Sequence, residues 1–416
     1  MGSKITKLTF AKICLLAIAV CFVIYVKYIT EIDLMRIKET KGANLTINIL
    51  ITVCLMIFFS LFYFSINLTH QIKTSNFFTF FVAWASLIIL NGLLLTDTND
   101  IKSIIILVLR HALMLYFLFI FFYAIFKYYG DSLQKFFGYI VLGWYIAIAL
   151  AYSVNFLELG ALALMGRSNV LGISYILLYP LPLALCLQNK FFKWFCVILG
   201  FIVVLSSVKR GGMIGYALAM FVYYFVHNYY IKRSKHFLRN TILLGILFLI
   251  AFIIYDRIVS ESIIGKIMDR IGNISQDSGS GRLQIWSGLI NKMPDLSFGR
   301  ILVGHGFLGS TQFIPGKLGA HNDFLESFFD YGLIGLGIYI WFYVIFFRKL
   351  RFLIKQKSAL AAPFAAGFTV FFALSIYSQI IIYDYYFALY AIIVGSFDGM
   401  SHQQTLTEKH INNKNL

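Results

Sequence analysis

The chain has 416 residues, of which 60% are hydrophobic, 18% aromatic and only 13% charged. Soluble domains carry about 25% charged residues, so this composition excludes a soluble globule and indicates a polytopic helical membrane protein. The net charge of +17 would suggest nucleic acid as the partner of a soluble chain. Here the basic residues lie in short loops between apolar runs, so no nucleic-acid partner is expected.

Apolar runs long enough to cross about 30 Å of hydrocarbon as helices recur along the chain. They predict an all-α bundle of about twelve transmembrane helices, which forms a single membrane domain over residues 1–400. The predicted spans are 8–29, 44–67, 77–95, 101–126, 136–155, 169–187, 192–208, 211–230, 239–256, 327–347, 359–378 and 379–398. The polar tail, 401–416, is predicted to be short, cytoplasmic and disordered.

The charges of the connecting loops predict the orientation of the bundle. Basic residues crowd alternate loops, and the positive-inside rule places those loops, with both termini, in the cytoplasm. They include Lys73, Lys127, Lys135, Lys190, Lys193, Lys232, Arg233, Lys235, Arg239, Arg348, Lys349, Arg351, Lys355 and Lys357. The long polar segment 257–326, between the ninth and tenth spans, is then periplasmic. The first apolar segment lacks a small-residue cleavage site and is expected to be retained.

Two amphipathic helices are predicted within this periplasmic segment. The first covers 261–274 and ends at the run Ser278-Gly279-Ser280-Gly281. The second begins at Arg282 and is predicted to lie along the membrane surface, with its indole at the interface. Its apolar positions at helical spacing are Leu283, Trp286, Leu289, Ile290 and Met293.

Two cations stand where the seventh span emerges on the outer face, in the run Lys209-Arg210-Gly211-Gly212. Charges at this depth are costly and mark a functional site by default. The eighth helix begins here, and its free N–H groups and partial positive charge favour an anion. The sequence therefore predicts an anion site at Lys209 and Arg210. The alternative is that both side chains reach lipid phosphates at a helix end.

Arg282 also combines a cationic side chain with a predicted helix N-terminus. A guanidinium binds phosphate oxygens in bidentate fashion and keeps its charge, which suits a diphosphate. The alternative is a solvated arginine on an interfacial helix.

His321 precedes the tenth span, whose start is indicated by the capping pattern of Asp323 and Glu326. A helix N-terminus disfavours the imidazolium, so a neutral imidazole near pH 7 can accept a proton from a hydroxyl as a general base. The alternatives are that His321 caps the helix or packs under the loop. His305 is interpreted as structural or as a substrate contact. Asp323, Glu326 and Asp330 could mimic a metal site, but capping accounts for the first two, so no metal is predicted.

Three motifs together resemble the O-antigen polymerase and O-antigen ligase superfamily of bacterial inner-membrane glycosyltransferases. They are Arg210 with its small neighbours, Ser280-Gly281-Arg282 through Trp286, and His321-Asn322 to Leu325 with Tyr331-Gly332-Leu333-Ile334-Gly335. The resemblance is specific over 200–340 and covers the rest of the chain by hydropathy and span count.

The resemblance implies a metal-independent GT-C-like enzyme without a cofactor, which uses an undecaprenyl-diphosphate-linked oligosaccharide as donor. By this resemblance Arg210 and Arg282 hold the donor diphosphate and His321 activates the acceptor hydroxyl. Lys209 adds a second cation that shares or replaces the task of Arg210. The active site would face the periplasm, and a chain-length regulator protein is a candidate partner besides membrane lipid.

Three functions remain open at this point. The wording of the Lys-Arg-Gly-Gly and His-Asn-Asp-Phe-Leu-Glu runs favours a polymerase, whose acceptor is another lipid-linked repeat unit. A ligase would transfer the chain to lipid A-core, and teichoic-acid or protein-glycosylating relatives share the motifs. A flippase for the same lipid is the alternative of another class, but its key charges should lie inside several spans, whereas these gather at one face.

Overall fold

The computed structural model describes residues 8–20, 75–94, 108–166, 173–206, 210–233, 239, 282–314, 319–378, 380–381 and 384–414. These residues form helices and turns, and no strand occurs among them. The predicted span 44–67, the span 239–256 beyond its first residue and the amphipathic helix 261–274 lie outside this part of the chain.

The helices are numbered here in chain order. They are α1 Leu8–Val20, α2 Asn76–Leu94, α3 Met114–Gly166 after a π-helical turn Val108–Leu113, α4 Ile173–Leu178, α5 Leu181–Leu185, α6 Lys190–Ser206, α7 Arg210–Phe225 with a π-helical continuation Val226–Ile231, α8 Arg282–Lys292, α9 Phe298–Val303, α10 Asp323–Lys355, α11 Ala361–Tyr377 and α12 Asp384–Lys414. An all-helical fold is confirmed for these residues.

Three stretches of the described chain are long and apolar enough to cross a membrane: His111–Gly130, Ser132–Ser153 and Asp323–Lys355. Shorter apolar helices accompany them, including Asn76–Gly92 and Ala361–Tyr377. The predicted number of about twelve spans stays a prediction.

The chain of α3 reverses direction near its middle. The ring centroids of Phe122 and Phe137 lie 6.0 Å apart and those of Phe126 and Phe137 lie 4.8 Å apart. Fifteen residues of straight helix would separate the first pair by about 22 Å. The two halves of α3 therefore pack against each other, as the separate predicted spans 101–126 and 136–155 require.

The segment predicted as one span at 169–187 contains two short helices, α4 and α5, and Gln188 just beyond them lies beside Gln134, near the start of the second half of α3. Pro180 stands at the N-cap of α5, and Pro182 lies within its first turn. Proline lacks an N–H and cannot continue a helix. The hydroxyl of Tyr145 donates to the carbonyl of Leu177 at 3.0 Å, so a side chain supplies a donor next to the break. All of α5 is buried, where a broken membrane helix is tolerated.

The disorder predicted for the tail is wrong for residues 401–414, because α12 continues to Lys414. Upstream of the tail, Gly395 and Gly399 place the backbone of α12 against α3. A Cβ at these positions would lie 2.7 Å from the carbonyl oxygen of Phe119 and 2.6 Å from that of Tyr123. Small residues four apart allow this close crossing of two helices.

The loops predicted to be cytoplasmic meet at one end of the bundle. Gln188 donates to Gln134 at 3.1 Å, Ser358 donates to Gln404 at 2.8 Å, and Lys349 pairs with buried Asp398 at 2.6 Å. The starts of α7 and α10 and the end of α11 meet at the opposite end, here called the outer end. Among the described residues, the loops near Gln134, Gln188 and Ser358 therefore lie at the end opposite the starts of α7 and α10, while the assignment of each end to a side of the membrane stays a prediction.

Between the two ends the core consists largely of aromatic rings from four helices. Phe342 of α10 packs on Phe80 of α2 with ring centroids 4.3 Å apart. Phe371 of α11 packs on Tyr390 of α12 at 4.0 Å. Phe342 also packs on Phe371 at 5.1 Å. These contacts fix α10 and α11 relative to each other, and the candidate site lies at their outer ends.

Candidate functional site at the outer end

Asn322 caps the N-terminus of α10. Its side-chain oxygen accepts hydrogen bonds from the backbone N–H of Phe324 at 3.0 Å and of Leu325 at 3.1 Å. The capping pattern predicted for Asp323 and Glu326 is therefore wrong. Asn and Asp are both strong capping residues, but the carboxylates of Asp323 and Glu326 bind other segments of the chain instead.

Asp323 is fully buried and joins α10 to the segment that follows α11. Its carboxylate accepts from the N–H of Ile380 at 2.8 Å and from the hydroxyl of Tyr339 at 2.9 Å. The Tyr339 hydroxyl also contacts that of Ser375 at 2.7 Å. This network connects the start of α10 to both sides of the α11 C-terminus.

Glu326 and Asp330 are also buried, and they bind the turn around Ser310. The Ser310 hydroxyl donates to Glu326 at 2.9 Å, and its N–H donates to Asp330 at 2.8 Å. A second oxygen of Glu326 accepts a short hydrogen bond from the N–H of Ala320. The carboxylates thus bind N–H and O–H donors, and no metal-binding group of three His, Cys, Asp or Glu side chains occurs among the described residues.

A kink in α10 at Gly332 attaches the outer segment to this helix. Gly332 has a φ of 67°, which interrupts the helix. Near this kink, the carbonyl of Phe329 accepts a hydrogen bond from the N–H of His305 at 2.9 Å, and that of Asp330 accepts from the N–H of Gly306 at 3.0 Å. A Cβ on Gly332 would overlap the backbone of Leu302. Only glycine combines this φ with this close approach.

His305 belongs to this attachment. Its Nδ1 lies 3.3 Å from the carbonyl oxygen of Phe329, and its ring packs on Phe313 at 4.9 Å. Burial lowers the pKa of His305, the hydrogen bond to Phe329 partly opposes this, and the nearby charge of Arg300 lowers it slightly further. Of the two interpretations of His305, the geometry favours the structural one.

His321 adopts a left-handed backbone conformation and lies between two residues that are held by hydrogen bonds. Its φ is 52°, which is uncommon outside glycine and often accompanies a functional site. On one side the peptide of fully buried Ala320 is bound by Glu326. On the other side the Asn322 amide donates to the carbonyl of Ile376 at 3.1 Å. The position of His321 is therefore set by its neighbours.

Arg282 is the first described residue of α8 and is half-buried. One turn further along, the indole N–H of Trp286 donates to the carbonyl oxygen of Ala320 at 2.8 Å. Residues four apart lie on the same helix face, so Arg282 lies on the face of α8 that meets the residue before His321.

Only part of the apolar face of α8 packs against the rest of the protein, and the predicted contact of this helix with the membrane surface stays a prediction. Leu289 is fully buried and packs in a small core with Phe328 and Phe329 of α10. Leu283 and Ile290 are 56% and 51% exposed instead. The indole predicted at the membrane interface is half-buried and bonded to Ala320, because contact with α10 determines which face turns inward.

Arg210 begins α7, as predicted for the eighth span, while its side chain and all of Lys209 lie outside the described residues. The carbonyl of the next residue, Gly211, accepts a short hydrogen bond from the hydroxyl of Tyr377. Gly215, one turn along, leaves room for that ring, since a Cβ there would lie 2.7 Å from the hydroxyl. The start of α7 is thereby joined to the end of α11.

Three hydrogen bonds thus connect the segments that carry the predicted site. They run from Gly211 to Tyr377, from Ile376 to Asn322, and from Ala320 to Trp286. The structure brings the backbone at Arg210, the start of α8 and His321 to one end of the bundle.

The linking roles of Tyr377 and Glu326 could not be predicted from the sequence, because contacts between distant segments leave no periodicity in the sequence.

The comparison with protein families agrees with the motifs. Residues 195–340 match a family model described as O-Antigen ligase. The matched region begins in α6, includes α7, α8 and α9, and ends within α10, so it contains all four predicted site residues. No curated protein matches the chain.

Proposed function

We propose that the protein is an O-antigen polymerase of the bacterial inner membrane. The match of residues 195–340 to the O-antigen polymerase and ligase superfamily supports this proposal. The protein would transfer an oligosaccharide chain from undecaprenyl diphosphate to a sugar hydroxyl of another lipid-linked repeat unit, on the periplasmic face. The observation that carries the proposal is the set of hydrogen bonds that join the start of α7 and the first turns of α8 to the residues on either side of His321. The reaction needs no metal and no cofactor, and a chain-length regulator is a candidate partner.

In this proposal the cations bind the donor diphosphate. Arg282 is at the start of α8, and Arg210, which follows Lys209 in the sequence, is at the start of α7; backbone N–H groups and the helix dipole favour anions at a helix N-terminus. Negative charge grows on the diphosphate as it leaves the sugar. Preformed cationic donors stabilise such developing charge without reorganisation, which is a large contribution to catalysis.

His321 acts as the general base in the same step. An imidazole nitrogen of His321 takes the proton of the acceptor hydroxyl, whose oxygen attacks the anomeric carbon of the donor. The bond between that carbon and the diphosphate oxygen breaks, and undecaprenyl diphosphate leaves with the electron pair. General-base catalysis of this kind contributes about 10²–10⁴-fold in rate.

A ligase is the second candidate, because the matching family is described by that activity. It would use the same donor and the same three residues but accept the outer sugar of lipid A-core. A flippase would have to bind the lipid at mid-membrane and alternate its access, whereas the three hydrogen bonds lie at one end of the bundle.

Deletion of the gene, read on a lipopolysaccharide gel, separates these functions. A polymerase deletion leaves a core that carries a single repeat unit. A bare core with accumulated lipid-linked polymer would indicate a ligase, and loss of all donor from the outer leaflet would indicate a flippase. Either of the last two results would overturn the polymerase proposal.

A further inference from the structure

Glu326 is a buried carboxylate that the proposed transfer step does not use. It lies on the first turns of α10 and is fully buried. One oxygen binds the Ser310 hydroxyl at 2.9 Å, and the other binds the N–H of Ala320. Burying a carboxylate is unfavourable unless hydrogen bonds compensate, so the interest lies in what these bonds hold in place.

The Ala320 peptide is held from both sides. Glu326 binds its N–H, and the indole of Trp286 donates to its carbonyl at 2.8 Å. The next residue, His321, has a φ of 52°, a conformation that persists only when the surroundings enforce it. Asn322 is fixed as the helix cap on one side of His321, and the Ala320 peptide supports the His321 backbone from the other side.

We infer that Glu326 is a positioning residue for His321: by binding the Ala320 N–H and Ser310, it holds the left-handed backbone that aims the imidazole. This role requires a side chain long enough to reach Ala320 and an oxygen atom that accepts a hydrogen bond from the Ala320 N–H. This inference rests on the proposed role of His321 as general base. A misplacement of about 1 Å lowers a catalytic rate by about 10²-fold, so kcat should respond and donor binding should not.

Three substitutions of Glu326 test this in the full-length protein, purified in lipid nanodiscs and supplied with a lipid-linked oligosaccharide donor. Glu326→Ala removes the acceptor, and kcat per folded molecule should fall about 10²-fold with the donor KM unchanged. Glu326→Asp keeps the charge but shortens the side chain, and kcat should fall at least about tenfold. Glu326→Gln keeps an acceptor oxygen at the same reach, so kcat should stay close to wild type.

The control is Asp398→Asn, which removes another buried charge, at the end of the bundle opposite His321. It should lower thermal stability while leaving kcat per folded molecule unchanged. If Glu326→Ala does not fold, the Asp and Gln variants decide the matter between them.

The inference is overturned if Glu326→Ala or Glu326→Asp keeps the wild-type kcat while His321→Ala is inactive. It is also overturned if Glu326→Gln loses as much activity as Glu326→Asp, because charge rather than reach would then be required. A wild-type rate in His321→Ala is a different failure, since it would remove the proposed function on which the inference depends.

Discussion

The two ends of the helical bundle are built differently. At the end where the basic loops meet, α3 and α12 pack as regular helices, with Gly395 and Gly399 allowing close backbone contact. At the outer end the backbone leaves the helical conformation at His321 and Gly332 and is held by buried carboxylates. Irregular backbone at membrane depth is tolerated where protein buries it or where it lines a cavity. The difference lies in what the buried carboxylates bind: Asp323 and Glu326 at the outer end bind backbone N–H groups, whereas Asp398 at the basic end pairs with the side chain of Lys349.

The largest effect that would test this contrast is expected at His321. His321→Ala should lower transfer by at least about 10²-fold, because it removes the proposed base, while membrane insertion remains normal. Sugar-ladder gels and rates with purified protein measure the loss. His402→Ala, at the opposite end beside Asp398, is the matched histidine control and should retain transfer. Normal chain lengths in His321→Ala would contradict the assignment of the base.

Gly332 tests whether the outer end depends on its irregular backbone. Gly332→Ala should destabilise the fold by roughly 2–4 kcal/mol, since a Cβ would overlap Leu302 and the left-handed φ disfavours alanine. Thermal unfolding in detergent measures this. Gly337 lies in the same helix, and a Cβ added there would meet no atom within 4 Å, so Gly337→Ala should be neutral or slightly stabilising. Equal stability of the two variants would show that the kink is dispensable.

The two arginines test whether the outer end binds a diphosphate. Arg210→Ala and Arg282→Ala should each weaken donor affinity by about 10–100-fold, which corresponds to roughly 1.5–3 kcal/mol for a charge-assisted hydrogen bond. Binding of the lipid-linked donor to purified protein measures the change. Arg351→Ala, on the exposed C-terminal part of α10, is the control. Unchanged affinity in both variants would remove the diphosphate site.

Tyr377 tests the connection between α7 and α11 with a smaller change. Tyr377→Phe removes the hydroxyl that donates to Gly211 and should reduce stability by about 1 kcal/mol. A few-fold rise in the donor KM should accompany it, because the start of α7 is less firmly held. Tyr230→Phe, an exposed tyrosine in the π-helical turn, should change neither quantity. If the two variants behave alike, the hydrogen bond does not position the start of α7.

Hydropathy predicted the regular helices closely. The spans expected at 77–95 and 192–208 correspond to Asn76–Leu94 and Lys190–Ser206, because a continuous apolar run suffices to define a membrane helix. The break at Pro180 has a local signal in the sequence, since proline interrupts helices, whereas hydropathy alone predicts one continuous span.

The contacts of the candidate site were less predictable than its residue types. Charge and helix starts pointed to Arg282 and His321, and the structure brings their segments together. Asn322 and Asp323 could both cap α10. Asn322 does so because the carboxylate of Asp323 binds the N–H of Ile380, 57 residues away in the chain. Similarly, Trp286 faces Ala320 because of contacts with α10, and no local pattern encodes such a pairing.

The most direct test of the account is an electron cryomicroscopy structure of the protein in nanodiscs with its lipid-linked oligosaccharide donor bound. We expect the diphosphate between Arg210 and Arg282, with the imidazole of His321 directed toward the anomeric carbon. A diphosphate bound at the opposite end of the bundle, or beyond the reach of these three side chains, would contradict this expectation.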